Sequence, residues 1–205
     1  KYIINLKYMS GHQKRWKERF GFMSKKNNKI LELGCYRGEM SKWFSDNLLD
    51  NQYSRLYCVD TWEGSVEYKN NFNNVKKTFK NDIEKSFHNN IKKSKHPKRI
   101  KVFKNTTTDF FLTFLKKEKK PIFDLIYIDA SHDARNVICD AILSFKVLKV
   151  GGFIVFDDYE WDKMPHDYER PKMAADSFVD MFRDNIKVTH QGYKLIVKKT
   201  KEYLL

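Results

Sequence analysis

The chain has 205 residues, enough for one well-buried domain of helices and strands and too few for two of ordinary size, so we expect a single domain over residues 1–205. Its formal net charge is +14, but 32 of its 40 basic residues are lysine and only 8 are arginine. Because arginine is the side chain that binds phosphate through two parallel hydrogen bonds, this bias argues against a dedicated nucleic-acid-binding protein.

The three cysteines have no spacing typical of a zinc site or a disulfide framework, so we expect reduced thiols and a cytoplasmic, reducing compartment. An apolar run of about 18 residues and a signal-peptide pattern are both missing, and no membrane contact is expected. Because the chain begins at Lys1, a further domain upstream could be missing. The sequence leaves open whether the protein forms a homo-oligomer.

An amphipathic helix over residues 10–24 is predicted to precede a strand, a glycine loop and a second helix in residues 29–49. The apolar strand runs into Gly34, and Gly38 opens the helix, with Tyr36 between the two glycines. Such a loop brings backbone N–H groups close to a ligand, because glycine has no Cβ. Glu32 suits a ligand with an ammonium group, whereas the close glycines of a pyrophosphate-binding loop are missing.

A second apolar strand, Arg55–Asp60, ends in a carboxylate. In a doubly wound sheet this acid can bind both ribose hydroxyls of a nucleoside, although an acid that caps the next turn is equally common in isolation. Its place about 20 residues beyond the glycine loop favours the ribose role for Asp60. Thr61 and Trp62 would then lie beside the nucleoside.

A polar segment over about residues 61–98 is predicted to be a helical insertion, because its apolar residues recur every three or four positions. A third strand, Arg99–Lys104, follows it, and Asn105–Asp109 then opens a helix. The Thr107 hydroxyl could contact an adenine amine, but helix capping explains it nearly as well.

The segment Phe123–Asp158 holds the most informative pattern. A near-continuous apolar strand ends at Asp129, and His132 follows before a helix that runs to Leu148. After a Lys149–Gly152 turn, a fifth strand, Phe153–Phe156, ends in Asp157 and Asp158. The two strands should be neighbours, so the sequence predicts that three carboxylates and a histidine meet at one edge of the sheet.

Carboxylates are ligands of hard cations, so Asp129, Asp157 and Asp158 could supply three of the oxygen ligands of magnesium or calcium. Such a cation would lower the pKa of a substrate hydroxyl, and His132 could accept the proton as the catalytic base. The alternative is that Asp157 and Asp158 form a solvated turn, that Asp129 serves the cofactor and that His132 caps a helix.

An aromatic and charged loop over about residues 159–171 lies where acceptors bind in such sheets, although it is equally consistent with an ordinary surface loop. A helix over about residues 173–182 and a hairpin of Lys187–His190 with Tyr193–Lys198 complete the chain.

The glycine loop of Lys29–Gly38 resembles motif I of the class I S-adenosylmethionine-dependent methyltransferases. The runs Ile128–His132 and Phe156–Tyr159, with the Leu-Lys-Val-Gly-Gly turn between them, resemble the metal-dependent sugar and macrolide O-methyltransferases of the macrocin O-methyltransferase type. The resemblance implies an α/β, Rossmann-like fold: a seven-stranded, mostly parallel sheet with a C-terminal antiparallel hairpin and helices on both faces.

The same resemblance implies S-adenosylmethionine as cofactor and magnesium held by Asp129, Asp157 and Asp158. His132 would be the base, as in some members of the group. The implied cofactor-binding residues are Glu32, Gly34, Tyr36, Gly38, Asp60, Thr61, Trp62, Thr107 and Asp129. The implied acceptor is the hydroxyl of a small molecule, most simply a sugar or glycoside.

Two rival functions stay open. The net charge suggests an RNA methyltransferase. However, Asp157 and Asp158 follow the fifth strand, where the catalytic lysine of a ribose methyltransferase would be expected. A catalytically silent binding module is the other rival, and the presence of Glu32, Asp60, Asp129 and His132 argues against it. A nicotinamide-dependent dehydrogenase is disfavoured because the third close glycine is missing.

Overall fold

The computed structural model describes residues 14–64 and 77–203. Part of the predicted insertion, residues 65–76, lies outside the described residues, as does the start of the predicted helix over residues 10–24. The strands are β1 (Lys29–Leu33), β2 (Arg55–Asp60), β3 (Ile100–Lys104), β4 (Phe123–Ile128), β5 (Leu148–Phe156), β6 (Ile186–Gln191) and β7 (Leu195–Lys199).

The helices of the described part are α1 (residues 14–20), α2 (Glu39–Leu48), α3 (Lys77–Lys92), α4 (Thr107–Lys117), α5 (Ala134–Val147) and α6 (Pro171–Met181). A short 3₁₀ turn, Gly21–Met23, follows α1. Among the described residues, no helix has both the length and the apolar character that crossing a membrane requires.

Within the described residues, the seven strands form one sheet in the order β3-β2-β1-β4-β5-β7-β6. Strands β1 to β5 run parallel to one another, while β7 is antiparallel to both β5 and β6. This arrangement confirms the predicted Rossmann-like sheet with a C-terminal antiparallel hairpin. The carboxyl ends of β1, β2 and β4 therefore meet at one edge, where a ligand site is expected.

The junction between α5 and β5 differs from the prediction. The helix ends at Val147 and β5 begins at the next residue, so the predicted turn of Lys149–Gly152 lies inside the strand. The register with β4 shifts in this region, and Gly151 has a φ of +87°. The glycine pair therefore forms an irregularity within β5, of the kind that a bulge produces.

Alternate side chains of each strand enter two different hydrophobic layers. Leu31 and Leu33 of β1 belong to the layer under α4, α5 and α6. Ile30 belongs to the opposite layer, which α1, α2 and α3 cover with aromatic rings such as Trp16 and Phe44. Both faces of the sheet are thus covered by helices, as predicted, and each strand residue's position decides which layer its side chain enters.

Candidate functional site

The glycine loop after β1 packs tightly against its neighbours. Gly34 and Gly38 have φ values of +82° and +81°, in the left-handed region that favours glycine. A Cβ atom on Gly34 would lie 2.1 Å from the Asp129 carbonyl oxygen, and one on Gly38 would lie 2.9 Å from Cδ2 of Phe87. The loop therefore abuts both the end of β4 and helix α3, and neither position has room for a side chain.

Asp60, at the end of β2, is bonded to the backbone of the same loop. Its Oδ2 accepts hydrogen bonds from the N–H groups of Cys35 and Tyr36 at 2.7 and 2.9 Å. Its Oδ1 accepts from the N–H of Trp62 at 2.7 Å. The structure thus places Asp60 beside the loop as predicted and shows it fixing the backbone there; its contact with a ribose stays a prediction.

Tyr36 and Trp62 flank the loop in strained conformations. Both have positive φ values, 45° and 53°, which non-glycine residues rarely adopt. The Trp62 ring is buried against Phe87, with centroids 4.8 Å apart, and its Nε1 donates to the Tyr36 carbonyl at 3.0 Å. The Thr61 hydroxyl accepts from the N–H of Glu63 at 3.1 Å. Strain of this kind clusters at ligand-binding sites.

Glu32 lies beneath the loop rather than at its surface. Because side chains alternate along β1, Glu32 points away from the layer of Leu31 and Leu33 and into the layer that α2 covers. The residue is 1 % exposed there. The Ser41 hydroxyl donates to Glu32 Oε2 at 2.5 Å, and the Cys58 thiol donates to it at 3.5 Å. Burial raises the pKa of Glu32 to about 8, although these hydrogen bonds oppose the shift. The contact of Glu32 with a ligand's ammonium group stays a prediction.

Thr107 opens α4, but its hydroxyl bonds to Asp140 of α5. Asp140 is 2 % exposed, and burial raises its pKa to about 7. The helix cap belongs to the preceding residue, Thr106, whose hydroxyl accepts from the N–H of Asp109 at 3.0 Å. The predicted contact of Thr107 with adenine therefore stays a prediction.

Asp129, His132 and Asp158 lie together, and we call these three residues the acidic centre. One ligand atom from each lies within 4.8 Å of the others. His132 Nε2 is 2.8 Å from Asp158 Oδ2, and the Tyr193 hydroxyl donates to Asp158 Oδ1 at 3.0 Å. The imidazole stacks on Trp161 with centroids 4.4 Å apart. Strands β4 and β5 thus bring together two of the three predicted carboxylates with the predicted base.

The acidic centre carries opposed pKa shifts. Burial, and then the charge of Asp158, raises the pKa of Asp129 well above its ordinary value, while Lys194 and His132 oppose that shift. Burial would also raise the pKa of Asp158, but its hydrogen bond and ion pair with His132 outweigh this effect and lower it. Two neighbouring carboxyl groups whose pKa values are pushed apart are typical of a functional site.

Asp157 lines the cavity of the acidic centre, but its carboxylate is bonded to other side chains, so its role as a metal ligand stays a prediction. Its Oδ1 accepts a hydrogen bond from the Tyr127 hydroxyl and forms an ion pair with Lys194 Nζ. Burial lowers the pKa of Lys194 to about 8, and the charge of Asp129 opposes that shift. Lys194 is not among the residues predicted from the sequence. Its position was signalled by the predicted antiparallel hairpin, which returns the residue just before β7 to the carboxyl end of β5.

Two carboxylates of the acidic centre are chemically suited to a divalent cation. Asp129 and Asp158 offer hard oxygen donors beside a cavity with apolar walls that include Val137, Phe156 and Pro171. Pro171, the last residue of the predicted acceptor loop, also lines this cavity. The residues present therefore fit a cation; Asp157 lines the same cavity, but its carboxylate is paired with Lys194.

Comparison with known proteins places the sequence and the fold in context. A model of the family described as "Methyltransferase domain" matches residues 31–159. No curated protein sequence matches the chain.

Solved structures share the fold at low sequence identity. The O-methyltransferase TomG from Streptomyces achromogenes, in complex with S-adenosylmethionine, is 15% identical with a TM-score of 0.66, covering 93% of this chain and 80% of its own. CalS11, a TDP-rhamnose 3'-O-methyltransferase, is 11% identical with a TM-score of 0.64, covering 93% and 80%. MycE, solved with Mg and S-adenosylhomocysteine, is 15% identical with a TM-score of 0.61, covering 92% of this chain and 49% of its own.

Proposed function

Because the chain belongs to the methyltransferase domain family, we propose that it transfers the methyl group of S-adenosylmethionine to a hydroxyl of a small molecule, most simply a sugar or glycoside. The resemblance seen in the sequence is confirmed at the level of the family. TomG and CalS11, which are named as O-methyltransferases, support the reaction class, and the sugar nucleotide named for CalS11 supports the acceptor class.

One observation carries the proposal: the glycine loop and the acidic centre are in direct contact. Gly34 packs on the backbone of Asp129, the residue that also contributes a carboxylate to the acidic centre. A methyl donor held by the loop and a hydroxyl held at the acidic centre would therefore be neighbours. Holding two reactants at such a distance supplies much of the rate of a simple displacement.

In the proposed reaction His132 accepts the proton of the acceptor hydroxyl. Asp158 orients the imidazole through the 2.8 Å contact, and Trp161 stacks on its face. Asp129 and Asp158 would hold a divalent cation, which when bound supplies Lewis-acid polarisation of the acceptor oxygen. The apolar wall that includes Val137 and Phe156 would shield the reacting atoms from water.

The test is methyl transfer from radiolabelled S-adenosylmethionine to a panel of sugars, glycosides, vicinal diols and RNA, with Mg²⁺ or with EDTA. We expect transfer to at least one small hydroxyl compound, loss with EDTA and recovery when Mg²⁺ is restored. Transfer to RNA in preference to every small acceptor would contradict the proposed acceptor class. Calorimetry with S-adenosylhomocysteine that shows no binding would favour the silent binding module instead.

A matched pair of histidine variants tests the proposed base. His132→Gln should lower kcat by about 100- to 10,000-fold, the usual contribution of a general base, and leave the affinity for S-adenosylhomocysteine nearly unchanged. His96→Gln is the control, because His96 pairs with Asp50 away from the acidic centre. Equal activities of the two variants would exclude His132 as the base.

A further inference from the structure

Lys194 is a buried cation at the edge of the sheet that holds the acidic centre. Its side chain is 11% exposed and that of Asp157, its ion-pair partner, is 14% exposed. The Tyr127 hydroxyl donates to the same carboxylate oxygen, and Lys194 Nζ lies 3.5 Å from that hydroxyl. The Asp157 carboxylate is thus satisfied within the protein.

The hairpin explains how a lysine reaches this place. In the antiparallel register of β5 and β7, Leu195 pairs with Phe156, so the residue before Leu195 lies opposite the residue after Phe156. Ile196 and Val155 enter the layer under α1, and strand alternation sends Lys194 and Asp157 to the same side. The pairing of Lys194 with Asp157 is therefore fixed by the backbone register.

This pair should resist replacement by a divalent cation. A cation that took Asp157 as a ligand would deprive the buried Lys194 ammonium of its ion-pair partner and leave it the charge of Asp129 alone, which is unfavourable. It would also bring two positive charges beside that ammonium in a partly desolvated site. By contrast, Asp129 and Asp158 lie within 4.8 Å of one another in the acidic centre.

We propose that Lys194 keeps Asp157 as its own counter-ion, so that a divalent cation is held through Asp129 and Asp158 alone among the three neighbouring carboxylates. The inference rests on the proposed function only in assuming that this edge takes a divalent cation. It makes Lys194 a positioning residue that limits cation affinity. Removing its charge should release Asp157 to join the other two carboxylates.

The test is a double-mutant cycle read by Mn²⁺ binding, using electron paramagnetic resonance of the free ion and calorimetry with MnCl₂. Lys194→Gln should bind Mn²⁺ about tenfold more tightly or better than the wild type, because a positive charge is lost and a carboxylate is gained. Combining Lys194→Gln with Asp157→Asn should return the affinity close to that of the wild type. Lys198→Gln is the control: it removes one charge from the same hairpin, but its ammonium lies over the Phe153 ring.

Each outcome is decisive. The proposal is overturned if Lys194→Gln binds Mn²⁺ no more tightly than the wild type, or if the double variant stays as tight as the single one. If Lys194→Gln fails to fold, the Mn²⁺ affinity of the double variant still tests the proposal. The double variant should fold, because glutamine and asparagine replace the ion pair and leave no buried charge there. An affinity of the double variant tenfold or more below that of the wild type would show that Asp157 is a native ligand. S-Adenosylhomocysteine binding, measured on the same samples, tests the proposed function separately.

Discussion

Asp140 shows at the level of a single residue how burial links stability to pH. Its pKa is raised from 3.8 to about 7 by burial, with Thr107 as hydrogen-bond partner. A carboxyl group whose pKa is higher in the folded state binds its proton more tightly there than in the unfolded chain. Its contribution to stability is therefore fully present below about pH 4 and is lost as the pH rises through about 7.

We expect Asp140→Asn to be more stable than the wild type at pH 8 by about 2–4 kcal/mol, because a neutral amide replaces a buried charge. The advantage should vanish near pH 4, where the wild-type carboxyl is also neutral. Urea unfolding at a series of pH values measures this, with Asp180→Asn on the exposed face of α6 as control. Parallel pH profiles for wild type and Asp140→Asn would contradict the prediction.

The two glycines Gly34 and Gly151 allow backbone strain to be separated from steric overlap. Both have positive φ, but a Cβ on Gly34 would overlap the Asp129 carbonyl, whereas one on Gly151 meets nothing within 4 Å. We expect Gly151→Ala to cost about 1 kcal/mol of unfolding free energy, the usual penalty for alanine in this conformation. Gly34→Ala should cost several times more and abolish binding of S-adenosylhomocysteine, measured by urea unfolding and calorimetry. Similar losses in both variants would show that overlap is not the cause.

Among the secondary-structure elements, the end of α5 depends on a residue far along the chain. The helix passes directly into β5, so its last carbonyl groups bind partners outside the helix, such as the Ile122 N–H, which donates to the Val147 carbonyl at 3.0 Å. Lys199 of β7 donates from Nζ to the Phe145 and Leu148 carbonyls at 3.0 and 2.8 Å. A buried lysine thus ties the helix end to the C-terminal hairpin.

Lys199→Met should therefore lower the unfolding free energy by about 2–4 kcal/mol, since two buried carbonyl groups lose their donor. Lys198→Met, at a neighbouring position of the same strand where the side chain is partly exposed, should change it by less than about 1 kcal/mol. Thermal and urea unfolding of both variants measure the difference. A small effect in both would mean that water replaces the lysine at the helix end.

For the whole molecule, the features that strand direction and order determine were the ones best predicted from the sequence. Asp60, Asp129 and Asp158 each follow or end an apolar run, and their strands or loops converge at one edge of the sheet as expected. The glycine loop and His132 could be placed for the same reason. An alternating pattern of strands and helices is enough to specify a parallel sheet, and with it these positions.

The features that could not be predicted from the sequence depend on the direction of side chains and on the pairing of residues far apart in the chain. Glu32 bonds to Ser41 because the pleat of β1 turns its side chain into the layer of α2, a direction that its place before Gly34 does not specify. Asp157 faces Lys194 because of a hairpin register that no short-range pattern specifies. The start of β5 was misplaced because its glycines resemble a helix stop.

The lysine that neutralises Asp157 lies just before the last strand of the sheet, after all five parallel strands. A chain that ended before the C-terminal hairpin would lack the internal counter-charge, so the acids clustered at the edge of the sheet would repel one another. The hairpin therefore supplies both two strands of the sheet and part of the charge balance at its reactive edge.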